Sequence, residues 1–283
     1  VSADEFLSFL KKAKAKEVKF LVKEEEIEIE CGKAQSGFAI MRGEFIREMV
    51  EEMDFDSDGW NPVPDEFSRF LSLSLFSASK NRTSILSTVH VTKEFIETTD
   101  DETITVCEME KPFVDDIDIN IPAEIASSLS KYEFDGYKTG RSWIYLKSGE
   151  LMMAGRLFTD EDDYPNLDEF VDFKGDEFSL PEDLKDVIEQ AMIGCKAEKD
   201  VDKQVSVSVK DGQISMRGEG DAAWVQSYAE VDYNGPKTEF VTNPVFIRRV
   251  LDFCSKMKIG DSCIELSDKN RRFYHLIALP FDE

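Results

Sequence analysis

Adjacent carboxylates stand at Asp115–Asp116 and at Asp162–Asp163. Such pairs ligate hard cations or divide general-acid and general-base work between them. Neither pair lies in a glycine-turn calcium loop, and neither has a basic neighbour in sequence, so both read as solvated loop charges. His90 and His275 are the 2 histidines of the chain, too few for a His-based metal centre or a triad. Both sit in stretches that alternate like strands. The 5 cysteines, Cys31, Cys107, Cys195, Cys254 and Cys263, are scattered without a C-x-x-C pair. They read as free, buried thiols rather than disulfides or zinc ligands. The stretch RGEGDAAW from Arg217 to Trp224 has glycines but no following Lys-Ser/Thr, so it reads as a turn between strands and not as a phosphate-binding loop. No nucleophile–base constellation appears, no cofactor is implied, and an enzyme is not expected.

The residue types whose placement does suggest a task are cations on helices. Lys11 and Lys12 fall on the outward face of an opening helix. Arg69, Lys80 and Arg82 fall around a second, Lys131 at the end of a third, and Arg248, Arg249 and Lys256 along a fourth. A solvated charged face is the ordinary reading of any one of them. The formal net charge is −25, which by itself argues against contact with nucleic acid. The acids, however, gather in loops at Asp54–Asp58, Asp115–Asp118 and Asp160–Asp163, while cations and serines recur on helices. That distribution allows a basic inner surface within an acidic molecule.

The elements that must position these residues form an internal repeat. With 283 residues, 41% hydrophobic and 33% charged, the chain can build two or three globular domains. No apolar run reaches the roughly 20 residues of a membrane span. The opening from Val1 to Leu10 reads as an amphipathic helix and not as a signal peptide. The repeat unit closes with a helix and alternating strands: DEFLSFLKKA before EVKFLVKEEEIEIECGKAQSGFAIM, PAEIASSLSKY before RSWIYLKSGELMMAGRLF, and NPVFIRRVLDFCSKM before SCIELSDKNRRFYHLIALP. Apolar residues sit at helical spacing in each helix, as in Ile125, Ala126 and Leu129. The second and third copies also have a front half. It opens on a helix with Pro64 or Pro181 at or near its first turn, followed by strands, including a hairpin at Asp211–Gly212. The spacing predicts domains at 61–173 and 176–283, with linkers at Glu51–Gly59 and Asp172–Asp176, and only the second half of a domain at 1–50.

Five stretches in order resemble the bacterial-type DNA sliding clamps, the beta subunit of DNA polymerase III. TTDDETITVCEM (98–109) is similar to the family's A-T-D-G-H-R-L-A segment. It keeps Thr99, Asp100 and an apolar Ile104, and departs at Asp101, Glu102 and Thr103. DYPNLDEF (163–170) resembles the F-P-D-Y stretch. FVTNPVFIRRVLDF (240–253) resembles the F-N-x-x-Y helix start, with Asn243 and Phe246 in place. The end, YHLIALPFDE, resembles V-M-P-M-x-L through Leu279, Pro280 and Phe281, and CGKAQSGFAIM (31–41) looks like the first-domain strand at the ring interface. The departures suggest a divergent member, bacterial or phage-encoded.

The resemblance implies an α+β fold of tandem clamp domains, each with two helices packed on antiparallel sheet, assembling into a ring. It implies a processivity factor that encircles duplex DNA without regard to sequence and tethers a replicative polymerase. The cations named above would face DNA. Polymerase and clamp loader would insert short peptides into a groove built from Ile85, Thr99, Ile104, Pro165, Phe170, Asn243, Phe246, Ile277, Leu279, Pro280 and Phe281. Glu102 and Thr103 replace the family's His and Arg at its rim, which implies a less acidic or basic peptide. Phe38 and Ile40 would meet Met192 and Ile193 of a second copy in a head-to-tail ring dimer, in the cytoplasm of a bacterial or phage-infected cell. The front half of the first domain is expected before Val1. The rival reading is an acidic, repeat-built interaction scaffold, or a DNA mimic, that never encircles DNA.

Overall fold

One series of elements recurs along the chain in a computed structural model, which describes residues 3–13, 17–40, 49, 51, 53, 58–159, 163–197, 199 and 202–280. Two units separate, Val1–Asp54 and Phe55–Glu283.

In the first unit, helix α1 (Ala3–Lys12) precedes the antiparallel strands β1 (Lys19–Val22), β2 (Glu26–Cys31) and β3 (Ala34–Ala39), in the order β1-β2-β3. The apolar stripe of α1 lies on the sheet through aromatic rings. Phe38 meets Phe6 and Phe9 edge-on at 5.5 and 6.0 Å, and Phe6 stacks on Phe20 at 6.2 Å. Among the described residues of this unit only Ile29 and Cys31 are buried, while Phe20, Leu21 and Val22 are more than half exposed. A single short sheet with one helix leaves a sheet face without a layer of its own.

The second unit contains two complete copies of a longer series. The first runs β4 (Asn61–Pro62), α2 (Phe67–Ser74), β5 (Thr88–Thr92), β6 (Phe95–Thr99), β7 (Thr103–Glu108), β8 (Asp118–Pro122), α3 (Ala123–Leu129), β9 (Gly136–Thr139), β10 (Trp143–Ser148) and β11 (Leu151–Arg156). After a short helix, α4 (Asp168–Val171), the second runs β12 (Asp176–Ser179), α5 (Leu184–Gly194), β13 (Val205–Lys210), β14 (Gln213–Glu219), β15 (Trp224–Glu230), β16 (Thr238–Thr242), α6 (Pro244–Val250), β17 (Lys256–Ile259), β18 (Cys263–Ser267) and β19 (Phe273–Ala278). The pairing repeats as well. Strand β8 joins β5 as β16 joins β13, and β4 joins β9 as β12 joins β17. The first unit, α1 and β1 to β3, repeats the closing part: α3 with β9 to β11, and α6 with β17 to β19. Within each full copy the two helices pack on each other, α2 with α3 and α5 with α6.

The copies join edge to edge. β19 pairs antiparallel with β7, from Phe273 opposite Cys107 to Ile277 opposite Thr103. The result is one eight-stranded sheet, β12-β17-β18-β19-β7-β6-β5-β8, with four strands from each copy. Its helix-facing side is continuous with the main core through residues such as Ile96, Cys107, Phe273 and Ile277.

Several expectations shift at the residue level. Pro64 and Pro181 lie near the helix starts, as expected, but just ahead of them: each begins a turn closed by Phe67 N–H to the Pro64 carbonyl (3.0 Å) and Leu184 N–H to that of Pro181 (3.2 Å). Helix α6 is shorter than its apolar period. It ends at Val250, tightens to a 3-10 turn over Leu251–Phe253, and then Ser255 N–H bonds to Ser267 O at 2.8 Å, drawing the chain into the sheet. Lys256 therefore begins β17 and does not lie on a helix. The hairpin at Asp211–Gly212 forms, with φ of 49° and 75°, the left-handed pair that a tight two-residue turn requires. Strand β10 is buried on both faces rather than one over Trp143–Leu146, and Lys138 lies over the Trp60 and Tyr145 rings at 5.2 and 5.4 Å.

Candidate functional site

Two pockets lie side by side where β7 meets the end of β19. The turn Asp100–Thr103 stands between them. It is an Asx turn: the Asp100 carboxylate accepts Thr103 N–H at 2.8 Å and Glu102 N–H at 3.2 Å, and Asp101 adopts a left-handed φ of 73°. Ala278 N–H bonds to the Glu102 carbonyl at 2.9 Å, so the turn is fastened to the chain leaving β19. The first pocket, about 440 Å³, is lined by Thr99, Ile104, Pro165, Phe170 and Leu279, with Leu167, Phe173, Cys263 and Leu276. The second, about 450 Å³, is lined by Asn243, Phe246, Ile277, Leu279 and Pro280, with Asp202 and Lys203 at its outer end. Asp101, Glu102, Ala278 and Leu279 border both.

The outer wall of the first pocket is the segment from Tyr164 through α4 to Phe173. Its position depends on hydrogen bonds from two strands and a turn. Thr99 N–H donates to the Tyr164 hydroxyl at 3.0 Å, and Arg271 Nη2 donates to the Val171 carbonyl at 2.8 Å. Lys258 donates to the Phe173 carbonyl and lies 4.3 Å above its ring. Arg271 in turn grips Glu265, whose side chain is 1% exposed, through Nε and Nη2, both at 2.9 Å. His90 stacks on Tyr164 at 4.6 Å and bridges Glu97 (2.8 Å) and Asp118 (2.9 Å). Burial works against its protonation, but these two carboxylates outweigh it and raise its pKa. Burial pushes the Tyr164 hydroxyl well above the usual range.

Beneath the turn a buried polar layer seals the β7–β19 seam. His275 Nδ1 lies 2.8 Å from the Thr105 hydroxyl, which is 2.7 Å from Ser77; Thr103 bonds to Ser77 and to Asp100, each at 2.9 Å. Burial, with the nearby Arg249, drops the His275 pKa to about 3, so the ring is neutral. Thr103 is thus turned inward, and the rim position expected of it is held by Asp101 and Glu102. Across the same seam Phe76, in the 3-10 turn after α2, meets Phe253 at 6.0 Å. Arg272 joins Glu66 at the start of α2 and Glu110.

Of the expected groove residues, the two pockets gather nine: Thr99, Ile104, Pro165, Phe170, Asn243, Phe246, Ile277, Leu279 and Pro280. Ile85 lines neither; it starts a 3-10 turn capped by the Ser84 hydroxyl. Phe281 lies outside the described residues. Leu167, inside the DYPNLDEF stretch but not singled out there, joins the lining, as does Phe173, three residues past its end. Cys263 and Leu276 carry no signal in sequence, because only the β18–β19 hairpin brings them here.

The expected basic residues remain at the surface to varying degrees. Lys11 and Lys12 are exposed in the last turn of α1, and Arg69, Lys80, Arg82, Lys131 and Arg249 are exposed, with Arg248 half-buried. Arg82 pairs with Glu124, and Lys256 pairs with Glu177 at 2.8 Å on neighbouring strands. Phe38 is half-buried under Phe6 and Phe9, and Ile40 is half-buried. Met192 packs against the main core, while Ile193, at the end of α5, is 78% exposed. Strands β3, β11 and β15 each end a sheet, and β15 carries Trp224 and Tyr228 with more than half of each surface exposed. Among the described residues no cluster of metal ligands forms, and no helix is long and apolar enough to cross a membrane.

No family model matches the sequence, and no curated protein matches it. Solved structures do. The DNA polymerase sliding clamp from Bacillus subtilis is 16% identical with a TM-score of 0.79, over 100% of this chain and 80% of that one. The DNA polymerase III beta chain from Streptococcus pneumoniae is 17% identical with a TM-score of 0.78, over 100% and 80%. The DNA polymerase III subunit beta from Pseudomonas aeruginosa is 14% identical with a TM-score of 0.77, over 99% and 82%, and a clamp from that organism has been solved bound to griselimycin. With the repeated α+β series and its edge-to-edge seam, this chain has the fold of a bacterial sliding clamp.

Proposed function

We propose that the chain is a sliding-clamp subunit, which encloses duplex DNA in a ring and tethers a replicative polymerase to it. The repeated seam carries this reading. Inside the chain, the last strand of one copy (β19) pairs with the fourth strand of the copy before it (β7). By the repeat, β3 is the equivalent of β19, and β15 is the equivalent of β7. Both are sheet edges. Counted from the helix starts Phe67 and Leu184, the exposed Ile193 occupies the place of Phe76, which packs across the internal seam. Joining β3 of one copy to β15 of the next repeats the internal seam between chains and leaves neither edge open. A head-to-tail contact of this kind closes into a ring when the rotation allows.

The clamp reading assigns residues 61–173 and 176–283 to two clamp domains and residues 1–50 to the closing half of another. Helices α1, α2, α3, α5 and α6 face the duplex. Arg69, Lys131, Arg248 and Arg249 supply sequence-blind contacts to phosphate, few and water-mediated, so that the ring slides. No bond is made or broken by the clamp; its effect on polymerase is topological. The twin pockets beside Asp101 and Glu102 receive peptides from the polymerase and the clamp loader.

Topological binding has a signature that tight binding lacks. The protein is loaded on a nicked circular plasmid, with or without a clamp loader, and filtered at high salt. A clamp stays with the circle and is lost when a restriction enzyme linearises it, because it slides off the ends. Equal retention on circle and line, or none on either in the presence of a loader, overturns encirclement and favours an acidic scaffold.

A further inference from the structure

The two pockets differ from a neutral apolar groove in one respect: the partition between them is acidic. Asp101 and Glu102 border both pockets and are exposed. The Asx turn and the bond from Ala278 to the Glu102 carbonyl fix their backbone in place before any ligand arrives. The charges further out follow the same sign. Glu169 stands on the far side of the first pocket, and Asp202 on the far side of the second, where Lys203 is the one cation among the described lining residues. Apolar side chains lie on both sides of the partition: Ile104, Phe170 and Leu276 in the first pocket, and Phe246 and Pro280, among polar neighbours, in the second.

We propose that the groove selects a short peptide in which a lysine or arginine lies between two apolar anchors, the anchors seated in the two pockets and the cation over the Asp101–Glu102 turn. The inference rests on the reading of these pockets as the peptide site of a clamp, and adds to it the charge of the occupant. Apolar anchors supply most of the affinity, since exposed ion pairs are individually weak. The carboxylates supply discrimination: an acidic residue at the same place loses attraction and meets repulsion from two fixed charges.

The test uses fluorescence anisotropy of labelled peptides with two leucine or phenylalanine anchors separated by one to three residues, the intervening position being Arg, Gln or Glu. At low ionic strength the expected order is Arg, then Gln, then Glu, with about a tenfold span from Arg to Glu, as expected for two exposed pairs. The span should shrink toward parity near 1 M salt. The double variant Asp101→Asn/Glu102→Gln should bring the Arg, Gln and Glu peptides to similar affinities. Asn tolerates the left-handed φ at position 101, so this variant keeps the turn. If the peptides bind and displace one another with no preference for Arg, or with preference for Glu, the charge inference is wrong and the groove reading stands. If no peptide of any charge binds the full chain, the groove reading itself fails, and the inference with it.

Discussion

Arg271→Ala tests whether the wall of the groove is held as the structure describes. Arg271 occupies the turn between β18 and β19 at a left-handed φ of 56°. It donates twice to Glu265 at 2.9 Å and once to the Val171 carbonyl at 2.8 Å, and its guanidinium lies 4.4 Å over Tyr274, whose hydroxyl burial pushes up to about 12. The Glu265 side chain is 1% exposed but that of Arg271 is 45% exposed, so water reaches one side of the pair. Removing one partner of a fully buried pair costs about 3–5 kcal/mol, and the exposed guanidinium places this one at the lower end, about 3 kcal/mol. For a unit of this size, that corresponds to about 6–12 °C in Tm. Circular dichroism melts and urea titrations read it. Glu265→Met combined with Arg271→Ala should recover most of the loss, since the deficit comes from a stranded carboxylate and not from missing packing. Peptide affinity should fall in both variants, because the Val171 carbonyl loses its donor in both. A shift under about 2 °C for Arg271→Ala, or a double variant no more stable than the single, would refute the reasoning.

Three further outcomes follow from the same geometry. Ile193→Asp should leave the fold intact, since the side chain is 78% exposed, and should weaken the proposed chain-to-chain contact roughly 30-fold by removing about 2 kcal/mol of apolar burial; sedimentation showing unchanged association would place the ring contact elsewhere. Arg248→Glu with Arg249→Glu should lower the slope of log K against log salt by up to about 0.9 for each phosphate no longer neutralised, and an unchanged slope would mean that α6 does not face DNA. His275 stays neutral in the folded chain down to about pH 3, whereas the unfolded chain takes up a proton below the ordinary histidine value of 6.5. Stability therefore falls as pH drops through that window, by about 1.4 kcal/mol per unit. His90 acts in the opposite sense, since its raised pKa contributes stability at low pH that is lost as pH rises through its folded value. Between pH 7 and 5, urea titrations should show the parent losing about 2 kcal/mol more than His275→Gln, and equal losses would mean that the ring is not held neutral.

What could be read in the sequence was what is local. Helix faces follow from the spacing of Ile125, Ala126 and Leu129, and Ala126 and Leu129 are indeed buried. Alternation gives β13, where Val205, Val207 and Val209 are buried between exposed or half-exposed neighbours. Local signals misplace one end. Pairing with Ser267 takes Ser255 and Lys256 away from the apolar period of α6. The groove could not be read from any period, because it exists only once Thr103 lies opposite Ile277. Resemblance to clamp motifs supplied Thr99, Pro165, Asn243 and Leu279 instead. It misplaced Thr103 for a physical reason: its hydroxyl bonds to Ser77 and Asp100, which turns the side chain inward.

The register of the strands shows that the internal seam and the free edge are one structural position dressed for two conditions. Ile96 lies opposite Cys107, and Ile214 opposite Ala229, so β7 and β15 align with Cys107 at the place of Ala229. Thr105 then corresponds to Ser227, Ile104 to Gln226 and Val106 to Tyr228. At the internal seam Thr105 joins the buried layer with Ser77 and His275, and Val106 is 2% exposed against Tyr274 and Leu276. At the free edge Ser227 bonds to Gln190 on α5 at 2.8 Å, and Tyr228 is 63% exposed. A buried polar layer is stable only while every member is satisfied, which suits a seam that never opens. Gln226 and Tyr228 tolerate water on one side and apolar contact on the other, which suits an edge that must survive uncovered. A ring that admits DNA must open somewhere. In the proposed ring the permanent joint is β7–β19 and the separable one is at β15, and the difference lies in side chains that the shared backbone does not dictate.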